Sequence, residues 1–503
     1  MPNQIALTHN LSVIQELAPS ELWRWFAQIC SIAHPSYHEE AMATYIVAWA
    51  SSHGLVVWRD EVGNVIIKKP ATDGMQNRTP IALQAHLDMV PQANAGTNHD
   101  FTKDPIIMQF SDDKAWIKAT DTTLGADNGI GMASCLAVLS DESVVHPDIE
   151  VLLTMTEETG MVGAMGLQAG VLTAPIMVNT DTEEMGEIYV GCAGGVDADL
   201  ALPVNYVDNN HGSAMSLTIK GLKGGHSGVD IHKNRANAIK LLGRVLAMLS
   251  RTCDFKVADI KGGSLRNVIA RESTALLVMD EANKEQFLAK LSDIINDIKS
   301  EIGAAEPNLS ITADTAEQPA QFIQNSQTLI NLINVLPSGV VRYSDNIADV
   351  VETSLSFGVL GVANGKLVAT LLIRSLTHVG KQGVISTLQS VADLASAKVT
   401  FDGDYVGWNY DPNSAITSIT SRLYADILGH EPTIKVIHAG LECGLIKKNY
   451  PDMDIVSIGP TIINAHSPDE AVNVASVAVY WQLLTDILKN SPIKEQGRKN
   501  KSG

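Results

Sequence analysis

Short apolar runs punctuate the chain, and most are followed by polar or glycine-rich residues and then a stretch with helical spacing. IALQAHLDM (81–89), IEVLLTMTEE (149–158) and APIMVNTD (174–181) are near-continuous apolar segments. Their length suits strands of a sheet covered by helices on both faces. A fourth run, DIVSIGP (454–460), arrives far downstream and ends in the same manner. Residues 20–52 read as a helical region, with Leu22, Trp25, Phe26 and Ile29 at helical spacing. The pattern predicts an α/β fold, with a mixed and mostly parallel sheet flanked by helices and interrupted by a long insertion.

The insertion begins near 208 and ends near 400, and its elements alternate differently. SAMSLTIKGL and TALLVMD read as strands, RANAIKLLGRVLAML as a helix and KEQFLAKLSDIINDIKSEI as an amphipathic helix, with LSITADT after it. ETSLSFGVLGVANGKLVATLLIRSL reads as a hairpin turning at Ala363-Asn364-Gly365, because Asn-Gly favours the tight turns that match strand twist. A further helix and the strand AKVTFDGDY close an enlarged α+β lid domain with an antiparallel sheet. It holds enough elements for two similar halves, although no sequence repeat is visible. The expected division is therefore 1–207 with 400–503 for the outer domain, and 208–399 for the lid. The tail IKEQGRKNKSG is basic and polar and reads as frayed.

A length of 503 residues supports the two-domain reading, since one hydrophobic core stops growing well below that size. Acidic residues outnumber basic ones 56 to 36, for a net charge of -20. Such a surface repels phosphate backbones and anionic lipid, which argues against nucleic-acid and membrane partners. The five cysteines are odd in number and form no C-x-x-C unit, so a reducing compartment fits best. The N-terminal segment lacks the pattern of a secretory signal, and no apolar run approaches the roughly 20 residues that span a bilayer. The expected location is the cytoplasm.

Candidate chemistry gathers at the ends of the apolar runs. His86 and Asp88 lie two apart, on one face of a strand, and a carboxylate there can orient a metal-binding imidazole. Asp127 stands at the start of an apolar helix, where capping is the simpler role and bridging two cations the functional one. Glu157 and Glu158 are adjacent at a strand end, so one can bind metal while the other faces a substrate as general base. Asp181 and His466 each follow a further apolar run. Singly, each of these residues has an ordinary surface or turn explanation. Jointly they deliver two imidazoles and several carboxylates to the strand ends where open α/β sheets bind ligands. That mixed set suits zinc, with cobalt or manganese as substitutes. In the insertion, GLKGGHSG places His226 among glycines that let backbone approach a ligand. Arg374 ends a strand and can grip a carboxylate with two parallel hydrogen bonds, and Asn267 is a weaker candidate. Cys443 reads as a packed small residue rather than a nucleophile.

Taken in order, AHLDMV, GADNGIG, TEETG, NTD, GGHSG, HAGLECG and NAHSPDE resemble the aminoacyl-histidine dipeptidases. That group lies within the wider clan of di-zinc dipeptidases, tripeptidases, aminoacylases and glutamate carboxypeptidases. The resemblance runs over almost the whole chain. It implies a zinc-peptidase-like catalytic domain and two Zn2+ per chain, one held by His86 and Asp181, the other by Glu158 and His466. Asp127 would bridge them, through a cis Asp127-Asn128 peptide. It implies Asp88 steadying His86, Glu157 as general base and His226 as an oxyanion donor. Arg374, Asn267 and the backbone at Gly440 would hold the substrate carboxylate. Small dipeptides of the Xaa-His type, such as carnosine, would be hydrolysed by water activated between the metals. A homodimer is compatible with it, and the enlarged lid favours His226 acting within its own chain. The alternatives are a broader aminopeptidase, tripeptidase or aminoacylase, and a catalytically silent binding protein on the same fold.

Overall fold

The structure is a computed structural model that describes residues 2–345 and 347–494. The tail expected to be frayed lies, from 495 onward, outside the described residues.

Three of the four apolar runs become strands buried at every position, Ile81–His86, Ile149–Thr154 and Ile176–Asn179. The fourth becomes Asp454–Ser457. Ile81–His86 pairs in parallel with both Ile149–Thr154 and Ile176–Asn179, and the latter pairs in parallel with Asp454–Ser457. Antiparallel strands Val65–Lys69 and Val56–Arg59 extend one side; antiparallel Glu187–Cys192 extends the other, with Thr433–Ile437 next to it, giving eight strands. This is the mixed sheet expected from the pattern. Unbroken apolar sequence is required because helices cover it. The region 20–52 is two helices, Ser20–Cys30 and Glu40–Ser52.

Helix Ser20–Cys30 packs on helix Ala126–Ser140. A side chain at Gly129 would come within 2.9 Å of the Phe26 ring, so this glycine sets how closely the two helices approach. Leu22 and Phe26 are fully buried, each burial worth about 1.5–3 kcal/mol.

The chain divides into two compact units, Met1–Gly191 with Tyr410–Val436 and Glu442–Gly503, and Cys192–Asn409 with Ile437–Leu441. The second unit is therefore wider than 208–399. Strand Gly194–Pro203 pairs antiparallel with Lys366–Ser375 and Lys398–Tyr405, and those ladders carry it into the second unit. That unit is built on a nine-stranded sheet in which every mapped pair is antiparallel. The hairpin turns where expected. Ala363 faces Lys366, and Asn364 and Gly365 adopt positive φ of 51° and 70°, as a two-residue primed turn requires. Strand Lys256–Gly262 and helix Ser326–Val335 are elements the sequence pattern did not single out. Among the described residues, no helix is long and apolar enough to cross a membrane.

Candidate metal centre

In the first unit, the carboxyl ends of the parallel strands present the polar residues of the motifs. His86 is the last residue of its strand and Asp88 lies two beyond. Glu157 and Glu158 follow Ile149–Thr154, and Asp181 follows Ile176–Asn179. Asp127 sits in the first turn of Ala126–Ser140 with non-helical backbone angles, and its peptide bond to Asn128 is cis. His466 lies between the short strands Ile462–Ile463 and Ala471–Asn473, with a left-handed φ of 65°.

Five of these side chains face one another. His86 Nε2 lies 3.3 Å from Asp127 Oδ1 and 3.5 Å from Asp181 Oδ1. His466 Nε2 lies 3.3 Å from Asp127 Oδ2 and 2.9 Å from Glu158 Oε2. The two oxygens of Asp127 thus face different imidazoles, each imidazole having one further carboxylate of its own. Ligand atoms of His86, Asp127 and Glu158 all lie within 4.8 Å of one another, a spacing one metal ion can span. Asn128 Nδ2 donates to Asp181 Oδ1, fixing that carboxylate from the side.

The protons support a cation here. His86 Nδ1 lies 3.0 Å from the Asp88 carbonyl, which only accepts, so Nδ1 carries the hydrogen and Nε2 is left to serve as a ligand. Yet Nε2 faces two carboxylates, which also only accept. Without a cation the ring must stay protonated: burial opposes this, but Asp181 and Asp127 hold the His86 pKa well above its usual value. His466 is pushed up to about 11 by its hydrogen bonds to Asp127 and Glu158. Burial, together with the neighbouring negative charges, raises Glu157 well above the usual carboxylate range and lifts Asp181 to about 6 and Glu183 to about 8. Among the described residues, Glu158 Oε1 is buried without a hydrogen-bond partner. Two imidazoles within so many crowded carboxylates are the donor set of a divalent-metal site, and the residues fit zinc.

Asp88 reaches beyond His86. Its Oδ1 lies 3.4 Å from His86 Nδ1 and accepts from Glu157 N at 2.8 Å, while Oδ2 accepts from Glu158 N at 3.2 Å and Ser36 Oγ at 2.8 Å. Below the strand tips a buried polar row crosses the sheet. Ser457 Oγ donates to Asn179 Oδ1, and Asn179 Nδ2 to Gln84 Oε1, both at 2.5 Å. Gln84 Nε2 and Thr154 Oγ1 then both donate to Glu442 Oε2, at 2.6 and 2.7 Å. Gln84, Asn179 and Thr154 each precede a candidate ligand or the base by two or three residues. Apart from Glu442 Oε1, which among the described residues has no hydrogen-bond partner, the row is paired throughout, and such pairing fixes the register of the tips it supports. Burial pushes the Glu442 carboxyl up to about 7. Glu442 and Glu470 lie inside HAGLECG and NAHSPDE, but nothing local marks them, since their partners are hundreds of residues away. Cys443 is fully buried.

A separate polar cluster lies within the second unit. Arg374 is only 6% exposed, and its Nη1 donates to Tyr405 Oη at 3.0 Å. A Cβ added at Gly440 would lie 3.1 Å from the Tyr405 ring. Tyr405, which the sequence pattern does not single out, bonds Arg374 and closes the space a side chain at Gly440 would need. Asn267 is exposed, and its carbonyl accepts from Ser227 N at 2.9 Å. The ring of His226 accepts at Nδ1 from the backbone N–H of Gly228 and Val229, at 3.2 and 3.1 Å. Two donors on Nδ1 place the ring hydrogen on Nε2, which is thereby a donor. Burial and Arg374 lower the His226 pKa, which keeps this ring neutral.

The fold and the cluster of imidazoles and carboxylates have the character of a two-unit metal-dependent hydrolase. Residues 217–306 match the family model described as the peptidase dimerisation domain. A crystal structure of a tripeptidase from Staphylococcus aureus shares the fold, with a TM-score of 0.54 at 16% identity over 94% of this chain and 98% of that one. A cytosol non-specific dipeptidase from Escherichia coli (strain K12) is 51% identical over 489 residues, 96% of this chain and 100% of the relative. The crystal structure of an aminoacylhistidine dipeptidase from Vibrio alginolyticus superposes with a TM-score of 0.89 at 48% identity, covering 96% of this chain and 98% of that one. The chain belongs to this dipeptidase family.

Proposed function

We propose that this chain is a cytosolic, metal-dependent dipeptidase that cleaves Xaa-His dipeptides with two zinc ions. The observation that carries the reading is Asp127, whose two oxygens face His86 and His466 separately. His86 with Asp181 and His466 with Glu158 are the proposed ligand pairs, with Asp127 shared. A divalent pair bound there would supply Lewis-acid polarisation of the peptide carbonyl and acidify a water.

The remaining roles belong to the chain. Glu157, raised by burial and by its carboxylate neighbours, takes the proton of the attacking water and returns it to the leaving amine. Asp88 holds the Glu157 and Glu158 backbone and His86 at once. In the second unit, Nε2–H of His226 is the proposed oxyanion donor, and Arg374, Asn267 and the Gly440 backbone the proposed grip on the substrate carboxylate. The matched dimerisation-domain model supports a homodimer, and the name of the Escherichia coli relative supports the cytosol.

The names of the two relatives differ in breadth, one non-specific and one specific for aminoacylhistidines, so a broader dipeptidase is the second reading. Metal analysis of purified protein with a panel of carnosine, other Xaa-His dipeptides, unrelated dipeptides, tripeptides and N-acyl amino acids tests both. Hydrolysis confined to Xaa-His supports the first. Equal rates on unrelated dipeptides favour the second, and chelator-resistant hydrolysis overturns the metal assignment.

A further inference from the structure

Glu470 is a buried carboxylate, 2% exposed, whose partners are four consecutive backbone amides. Its Oε2 accepts from Leu124 N at 2.8 Å and Gly125 N at 3.0 Å, and its Oε1 from Ala126 N at 2.7 Å and Asp127 N at 3.2 Å. These are the donors left over where helix Ala126–Ser140 begins, and Gly125, at its N-cap with φ of 72°, has no side chain to satisfy them. The sequence offered Asp127 as that cap. The structure gives the task to Glu470, which leaves both Asp127 oxygens turned toward His86 and His466.

Glu470 also lies four residues beyond His466 and directly precedes strand Ala471–Asn473, which pairs with Ile462–Ile463 and Trp116–Ala119. One carboxylate therefore ties the turn bearing Asp127 to the loop bearing His466, and anchors both to a small sheet. We propose that Glu470 is a positioning residue for the Asp127 carboxylate, locking it and His466 at the spacing a shared metal ligand needs. The proposal rests on the reading of Asp127 and His466 as ligands.

The chemistry demands a carboxylate. Every partner is a donor, so a glutamine would turn its own NH2 toward two N–H groups, although its shape is unchanged. Charge-assisted hydrogen bonds to backbone amides are also the stronger kind. An aspartate keeps the charge but is one methylene shorter.

The full chain is purified as wild type, Glu470→Gln and Glu470→Asp, and each is stripped and titrated with Co2+. The Co2+ absorption spectrum, Co2+ affinity, circular dichroism, kcat and KM are read. In Glu470→Gln we expect a folded protein with an altered Co2+ spectrum, about 10–100-fold weaker Co2+ binding and a similar fall in kcat, with KM nearly unchanged. Glu470→Asp should recover part of the loss. A Glu470→Gln protein that melts lower yet keeps the wild-type spectrum, affinity and kcat would reduce Glu470 to a fold element and overturn the proposal. If Glu470→Gln does not fold, the same readouts on Glu470→Asp decide in the same way. Failure of the wild type itself to bind Co2+ would sink both this proposal and the reading of the site. Wild-type binding with no effect of either variant sinks the proposal alone.

Discussion

Asp88 Oδ1 accepts the backbone N–H of Glu157 at 2.8 Å, so the carboxylate beside His86 also fixes the residue proposed as base. Asp88→Asn keeps the shape but loses the charge that accepts two amides, a hydroxyl and an imidazole contact. We expect about a 10–100-fold fall in metal affinity or kcat, measured by metal titration and steady-state kinetics. Unchanged values for both would leave Asp88 a buried structural group.

Glu157 carries the proton in the proposed reaction and, among the described residues, faces no imidazole nitrogen at bonding distance. Glu157→Gln should lower kcat by at least about 10²–10⁴-fold while metal content stays at the wild-type level. Elemental analysis alongside kinetics makes the distinction. Loss of metal together with activity would move Glu157 among the ligands.

His226 presents Nε2–H because two backbone amides occupy Nδ1. His226→Ala should cost about 10²–10³-fold in kcat, the usual loss for one oxyanion donor, without unfolding the protein. Wild-type turnover in that variant would return the GGHSG run to a simple glycine turn.

Gly459 leaves no room beside the Asp181 loop, since an added Cβ would lie 1.7 Å from the Thr182 carbonyl oxygen. Gly459→Ala must move backbone next to a proposed ligand. A destabilisation of about 1–3 kcal/mol in denaturant titration is expected, with weaker metal binding. A variant as stable as wild type would mean the loop yields freely.

His438, in the second unit, is buried and held near pKa 3, first by burial and then by Arg374, His226 and His232, with Ser354 Oγ 2.7 Å from its Nε2. The unfolded chain binds a proton there near pH 6.5, so between about 6.5 and 3 the unfolded state carries more protons. Stability contributed by this residue is present above that window and lost as pH falls through it. His438→Gln should flatten the acid limb of a melting-temperature profile. An unchanged slope would assign the acid sensitivity elsewhere.

Much of this architecture was legible in the chain. The runs at 81–89, 149–158, 174–181 and 454–460 read as buried strands, because a short unbroken apolar segment suits a strand covered on both faces. Asn364-Gly365 announced its turn, because few residues tolerate the positive φ that the turn demands. What a local pattern does not show is the pairing of Gly194–Pro203, whose ladder partners Lys366–Ser375 and Lys398–Tyr405 lie far away in sequence.

Residue chemistry by itself delivered His86, Asp127, Glu157, Glu158, Asp181 and His466 to the ends of predicted elements, and spacing went no further. Which oxygen faces which imidazole depends on distances between segments brought together only when the parallel strands align. The supports depend on the same closure. Glu470 looks like an ordinary loop glutamate until the turn at Leu124–Asp127 folds onto it, and Glu442 until Gln84 and Thr154 meet it from two strands. A side chain's type is local, but its hydrogen-bond partners are set by the fold. The sequence therefore determined the sheet and the inventory of donors, and the tertiary structure decided which of them act together.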